Sequence, residues 1–347
     1  MILFSLELVN QQVEAKGTLS EHKGKGRMNN KSSARDTGQK ANAPGEIPAR
    51  GWKEILWRVK SEYGKDHIQI VSAGIAFYFF LALFPAIAAL VSIYGLIVDP
   101  AQVEQQMNQL TAILPQQAHQ LISDILQDIS SKTGQTLGWS LIIGVALSIW
   151  SAKKGVNAVF EGVNIAYNEQ DRRNFFKKNG LALLLAFYGI IIAIISMALI
   201  VGVSALSGRL GLPSLLTTLV EWLRWPVLAA IVVFSLGLIY RVAPHRNAPK
   251  CRWVSWGAIA ATALWLAGSA LFSFFVNNFG NYDATYGSFA AVIVLMLWFF
   301  LTAFTILLGA EINSEMEHQT ARDSTVGKEK PIGQRDAYYA DHVAGGR

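Results

Sequence analysis

Six long apolar stretches, none with an ionisable side chain away from its ends, occupy most of residues 68–310. They run over 68–98, 137–152, 181–206, 225–243, 254–276 and 286–310. Hydrocarbon offers a bare peptide group no hydrogen-bond partner, so segments of this kind must satisfy their backbone internally, as helices. About 20 apolar residues cross the roughly 30 Å of a bilayer core. Five stretches reach that length; 137–152 is short. Only 16% of the chain is charged, against about 25% for a soluble domain. The reading is an all-α polytopic membrane protein with six transmembrane helices.

Charge placement decides whether the short stretch crosses. With six spans and an internal N-terminus, the inside connections are 153–179, with six Lys or Arg, and 241–252, with four. The outside connections hold one (Lys132), two (Arg209 and Arg224) and none. The tails, with 12 and five, both lie inside. Without a span at 137–152 this alternation collapses, and basic residues retained on the cytoplasmic side are what set topology. Both termini are therefore placed in the cytoplasm. The same rule accounts for a pI near 9.3 without nucleic acid.

Residues 1–50 read as a disordered basic tail, too poor in apolar groups to fold alone. They carry no signal peptide, and Met1 and Met28 are both candidate starts. The membrane domain is set at 51–317 and a polar cytoplasmic tail at 318–347. Within the domain Trp52, Ile55, Leu56, Val59 and Tyr63 form an amphipathic stripe, suited either to the inner leaflet or to the protein's own loops. In the first outside loop, Asp99–Pro100 is a helix start. The apolar spacing of Val103, Met107, Leu110 and Leu114, then of Leu121, Ile122, Ile125 and Ile129, predicts an amphipathic helical hairpin.

Ionisable groups at membrane depth mark proton or ion paths, and the spans lack them, which weakens a pump or antiporter. Pathway or hinge candidates are therefore mostly neutral. Pro85 removes a backbone bond in mid-span and predicts a kink; Tyr78 lies two turns before it. After the second span, Val156, Val159, Phe160, Val163 and Tyr167 make an apolar stripe. Asn157, Glu161, Asn164 and Asn168 make a polar one, which either faces a vestibule or is simply solvated. Glu311, at the inner edge of the last span, is expected to pair with a base of 172–178 or 241–252; Asn313 follows it. In the fifth span Ala260, Ala263, Ala267 and Ala270 predict a close packing face, with Gly257 and Gly268 nearby. The lone Cys251 rules out cysteine clusters. No phosphate-binding glycine loop is present, and no cofactor is expected.

Several local motifs, in order, resemble one family. They are 76–85 (AFYFFLALFP), the 157–167 helix with Arg172 and Arg173 behind it, and Tyr240-Arg241-Val242-Ala243-Pro244. Tyr286-Gly287-Ser288, Trp298 and Gly309-Ala310-Glu311-Ile312-Asn313 complete the set. Over about residues 52–317 the chain resembles the YihY/virulence factor BrkB family of bacterial inner-membrane proteins, some once labelled ribonuclease BN. The resemblance implies a six-helix fold, singles out Tyr286 and Gly287, and points to transport or export of envelope-related molecules. It brings no defined activity. The expected function is a transporter or lipid or envelope-precursor permease, with a non-transporting scaffold as the alternative. Expected partners are membrane lipids, anionic headgroups at the basic loops among them; homo-oligomerisation is left open. Six scattered histidines (22, 67, 119, 245, 318 and 342) make no convergent acid–base or metal set for RNA hydrolysis, and no enzyme is expected.

Overall fold

The computed structural model describes residues 37–97, 134–202, 214–279 and 289–345. The predicted hairpin at 99–131, the head before residue 37, and Tyr286 and Gly287 lie outside the described residues. The described chain is helical: α1 (Ala49–Lys65), α2 (Ile68–Ile97), α3 (Gly134–Ala166), α4 (Phe175–Met197), α5 (Ser214–Val242), α6 (Cys251–Phe279), α7 (Phe289–Gln319) and the short α8 (Tyr338–Asp341). A 3₁₀ turn, Pro44–Glu46, precedes α1, and a π turn, Ala198–Gly202, continues α4.

Among the described residues, five helices contain stretches long and apolar enough to cross a membrane: Ile68–Pro85, Phe175–Ile200, Thr218–Val242, Cys251–Val276 and Phe289–Gln319. Their surfaces confirm the environment. Ile191, Ile194, Phe234, Leu271 and Phe274 are exposed on α4, α5 and α6, an apolar area that a water-soluble monomer does not present. The 137–152 stretch is not among the five. It forms part of α3, in which the expected span and the helix after it are one continuous rod of 33 residues. At about 1.5 Å per residue that rod is roughly 50 Å long, more than a bilayer core.

α7 is the hub, packed on α6, α2, α1 and α3, while α2 lies along α3 and α5 along α6. A hydrogen bond between the Tyr188 and Ser235 hydroxyls (2.9 Å) ties α4 to α5. Among the described residues the buried core is gathered where Ile75, Phe160, Val163, Tyr240, Ala258 and Leu307 meet, at one end of the bundle. There α6 and α7 approach closely through Gly257 and Gly309. A Cβ on Gly309 would strike the Tyr240 hydroxyl and come within 2.7 Å of Ala261 Cβ. The packing face of α6 is therefore Gly257, Ala258, Ala261 and Thr262, all buried; Ala263, Ala267 and Ala270 point outward. The predicted small face is displaced by about half a turn, at about 100° per residue, because partner contacts, not alanine content, choose which small residues meet.

Over that same end sits an ordered cap. α1 docks Ile55 and Val59 onto Trp253, Ile312 and Met316, which resolves its stripe as a helix packed on the protein's own body; Leu56 and Trp57 stay exposed. Residues 37–50, expected in the disordered tail, belong to this cap: Ala41 and Ile47 are buried, and Gly38 O and Pro44 O accept turn-closing bonds. The chain after α7 is likewise folded. Thr325 pairs with Pro249, and the Arg335 guanidinium donates to the carbonyls of Ala321, Lys330 and Ala340.

Candidate functional site

The last three turns of α7 read Ala310-Glu311-Ile312-Asn313-Ser314-Glu315-Met316-Glu317-His318-Gln319, and all but His318 are buried. A polar helix end enclosed on every side needs a partner for each group, and nearly every one is present. Asn313 Oδ1 accepts from Gly257 N–H (2.8 Å) and its amide donates to Val254 O (3.3 Å). Arg58 of α1 donates to the Glu315 carboxylate and to Gln319 Oε1. Gln319 in turn donates to Thr37 O at 2.6 Å. Arg246 donates to both oxygens of Glu317 at 2.7 and 2.8 Å, and Ser324 Oγ donates to the same carboxylate at 2.6 Å. Both side chains of the Arg246–Glu317 pair are fully buried, with the Arg246 guanidinium 4.8 Å from the centre of the Tyr167 ring. Burial alone would lower the Arg246 pKa, but Glu317, Tyr167 and Glu169 hold it above its ordinary value. Buried Tyr167 is pushed well up by desolvation, reinforced by Glu317.

Arg173 closes the same end. Its guanidinium donates to Val242 O (2.9 Å), Ala243 O (3.0 Å) and Pro244 O (3.0 Å), the carbonyls left open where α5 stops. A cation is favoured there by the helix dipole as well. Charge-assisted bonds of this kind contribute about 1.5–3 kcal/mol each at most. Arg173→Ala is expected to lower stability by about 2–3 kcal/mol, with Arg173→Lys recovering less than half because an ammonium does not span three carbonyls. Thermal unfolding of the purified chain measures both.

Between α1, α7 and the cap lies a cavity of about 1050 Å³, walled by Glu54, Arg58, Glu62, Lys65, Glu315, His318, Tyr338, Tyr339, Asp341 and His342. Its wall mixes both signs of charge with aromatic rings; Tyr338 and His342 stack at 4.2 Å between centroids.

The residues singled out in the sequence are not gathered into one site. Tyr78 is exposed beside Phe77. Pro85 lies within α2, which continues as helix on both sides, so the chain is not broken there. Glu161 is solvated and pairs with Lys178 (3.4 Å). Asn157 is half-buried, its Oδ1 without a hydrogen-bond partner. Asn164 is buried and clips the α5–α6 connection, accepting from His245 N–H at 2.9 Å. The polar stripe of α3 therefore divides, and only Asn168 reaches the cavity wall. The apolar stripe does pack inward, with Val159, Phe160, Val163 and Tyr167 buried.

Glu311 departs most from expectation. It meets no base; neither carboxyl oxygen has a hydrogen-bond partner, although the residue is fully buried. The expected ion pair with the 241–252 loop exists, but Glu317 makes it, six residues on. Helix rotation carries Glu311 to another face, toward Asp66. Arg58, Asp66, Arg246 and Glu317 were missed; the spacing of Glu311, Glu315, His318 and Gln319 along one face of α7 was the available signal. Among the described residues no group of three or more His, Cys, Asp or Glu is arranged to hold a metal ion.

Lipid-exposed apolar helices gathered on a charged, ordered cap define an integral membrane protein of several spans. The virulence factor BrkB family model matches residues 59–333, and the chain belongs to that family. Among its relatives, a putative ribonuclease-like protein, YfkH, of Bacillus subtilis is 30% identical over 266 residues, 75% of this chain and 94% of that one. A UPF0761 membrane protein of Idiomarina loihiensis is 23% identical over 214 residues, 59% and 69% of the two chains. Another UPF0761 membrane protein, of Mannheimia succiniciproducens, is 28% identical over 192 residues, 54% and 61%. No solved structure matches the chain.

Proposed function

We propose that the chain is a six-span permease of the bacterial inner membrane with both termini in the cytoplasm, and that the charged cavity is its inner mouth. The sixth span is the first half of α3, whose 33 residues suffice to cross and still carry Lys153 and Lys154 beyond the bilayer. The observation that carries the reading is the cavity of about 1050 Å³ at the capped end, where the basic connections also lie. A wall holding both charge signs and stacked aromatic rings suits a polar solute or the headgroup of a lipid-linked envelope precursor. Exposed Arg172, Lys177 and Arg252, beside exposed Phe175 and Phe176, supply an interfacial belt for anionic headgroups.

The test is reconstitution in liposomes with lipids and envelope precursors, followed by flux and flipping. Tyr338→Ala, which removes one stacked ring of the wall, is expected to slow transport about two- to tenfold. Absence of movement for every substrate in the wild type defeats the reading. Orientation has its own test, since the natural Cys251 is exposed and alone. A membrane-impermeant maleimide is expected to spare it in intact spheroplasts and to label it in inverted vesicles; the reverse pattern inverts the topology.

A scaffold reading is favoured by one feature, the cap itself, an ordered body with Leu56 and Trp57 exposed. A stoichiometric partner crosslinked to α1, together with no transport, would select it. The ribonuclease-like name belongs to the Bacillus relative; a nuclease assay on the homogeneous chain examines it directly.

A further inference from the structure

The Asp66–Glu311 contact joins two acids. Asp66 ends α1 at the elbow into α2, where His67 takes a left-handed backbone (φ 49°) and the chain turns so that Asp66 faces α7. There its carboxyl lies within hydrogen-bonding reach of Glu311. The other charged and titratable groups facing the pair are Glu62 and Lys65 from α1 and Glu315 from α7. Buried Tyr167, at the end of α3, lies within electrostatic range of Glu311, and Tyr339 of the cap senses both acids. Arg58 and Arg246, the guanidinium groups that reach the end of α7, are taken by Glu315 and Glu317.

Ionised carboxyl groups only accept hydrogen bonds, so two of them in contact repel unless one proton lies between them. Water does not screen this contact at Glu311, which is fully buried, with both oxygens lacking any donor from a neutral or basic group. An ionised group left there without a counter-charge would be held at a penalty of several kcal/mol. We infer that Asp66 and Glu311 form a proton-binding site, one proton shared across the junction between the α1–α2 elbow and α7. Binding follows O–H···O⁻ geometry: the protonated carboxyl donates, the other accepts, and the pair carries a single negative charge. Loss of that proton leaves two charges face to face beside Glu62 and Glu315, and their repulsion parts the elbow from α7 at the cavity wall. The site stands independently of transport, since a chain that moves nothing would still hold the proton.

Burial raises the Asp66 pKa above the ordinary carboxylate value, outweighing the lowering effect of the Glu311 hydrogen bond, and Glu62 and Glu315 reinforce it. For an acid raised on folding, the stabilisation is fully present below the unfolded value and is lost as pH rises through the folded one. The full chain in lipid nanodiscs is expected to show, at neutral pH, the infrared C=O stretch of a protonated carboxyl. That band should vanish in Glu311→Gln, shift in frequency in Asp66→Asn, where buried Glu311 keeps its proton but has no carboxylate to share it with, and persist unshifted in Glu62→Gln. Asp66→Asn keeps side-chain volume at a half-exposed elbow, so it remains informative even where Glu311→Gln fails to fold. The wild-type thermal midpoint, relative to Asp66→Asn, should fall as pH rises above the ordinary carboxylate range. A wild-type protein without the band, a band retained in Glu311→Gln or unshifted in Asp66→Asn, or a midpoint difference independent of pH overturns the inference.

Discussion

Arg246→Ala is expected to destabilise the chain by about 3–5 kcal/mol, the usual consequence of leaving one partner of a buried pair alone. Glu317 is fully buried with its partner, and the Ser324 hydroxyl that remains (2.6 Å) cannot neutralise it. Truncation also removes the guanidinium from the face of Tyr167. The effect is therefore not one of packing volume. Replacing both members with apolar residues, Arg246→Met with Glu317→Leu, should recover most of the loss, because desolvation of the pair opposes much of its attraction. Unfolding midpoints of the single and double variants form a cycle. A single variant within about 0.5 kcal/mol of wild type would mean that water reaches the pair.

Gly309→Leu is the second large expectation. Even a Cβ at this position meets the Tyr240 hydroxyl and lies 2.8 Å from Gly257 O. Tyr240 cannot swing aside freely: it is fully buried and donates to Ile306 O at 2.8 Å. On the facing helix, Gly257 N–H is held by Asn313. Overpacking of a tight site destabilises by about 1–3 kcal/mol for modest insertions, and a branched side chain pressing on backbone belongs at or above the upper end. Separation of α6 from α7 also breaks the Asn313 clip, so loss of the folded monomer in detergent is the expected readout. Gly189→Leu on α4, where a Cβ meets nothing within 4 Å, is the matched control and should unfold close to wild type.

Both experiments address contacts of differing legibility. The α3 stripe of Val159, Phe160, Val163 and Tyr167 was readable because period and burial are properties of one helix. The α6 face was misplaced because several small faces exist on one helix and only the partner selects among them. The Glu311 expectation failed for a related reason. It lay near the correct loop, but a six-residue shift on a helix changes the facing direction, and Glu317 took the base instead. Residues 37–50 look too polar to fold alone, which is true of the segment in isolation; they order because Ala41 and Ile47 are buried against α1 and the end of α7.

From composition and order alone came the helical class, the membrane and the family, because apolar length is a one-dimensional property and hydrocarbon tolerates few backbone structures. The tertiary structure alone decided that the polar end of α7 is enclosed rather than solvated, and which charge meets which. Arg246 and Glu317 stand 71 residues apart, and Arg58 and Glu315 257 apart. At such separations a charge in the sequence has no address: helix rotation and chain return choose its partner, and burial then makes that choice energetically decisive.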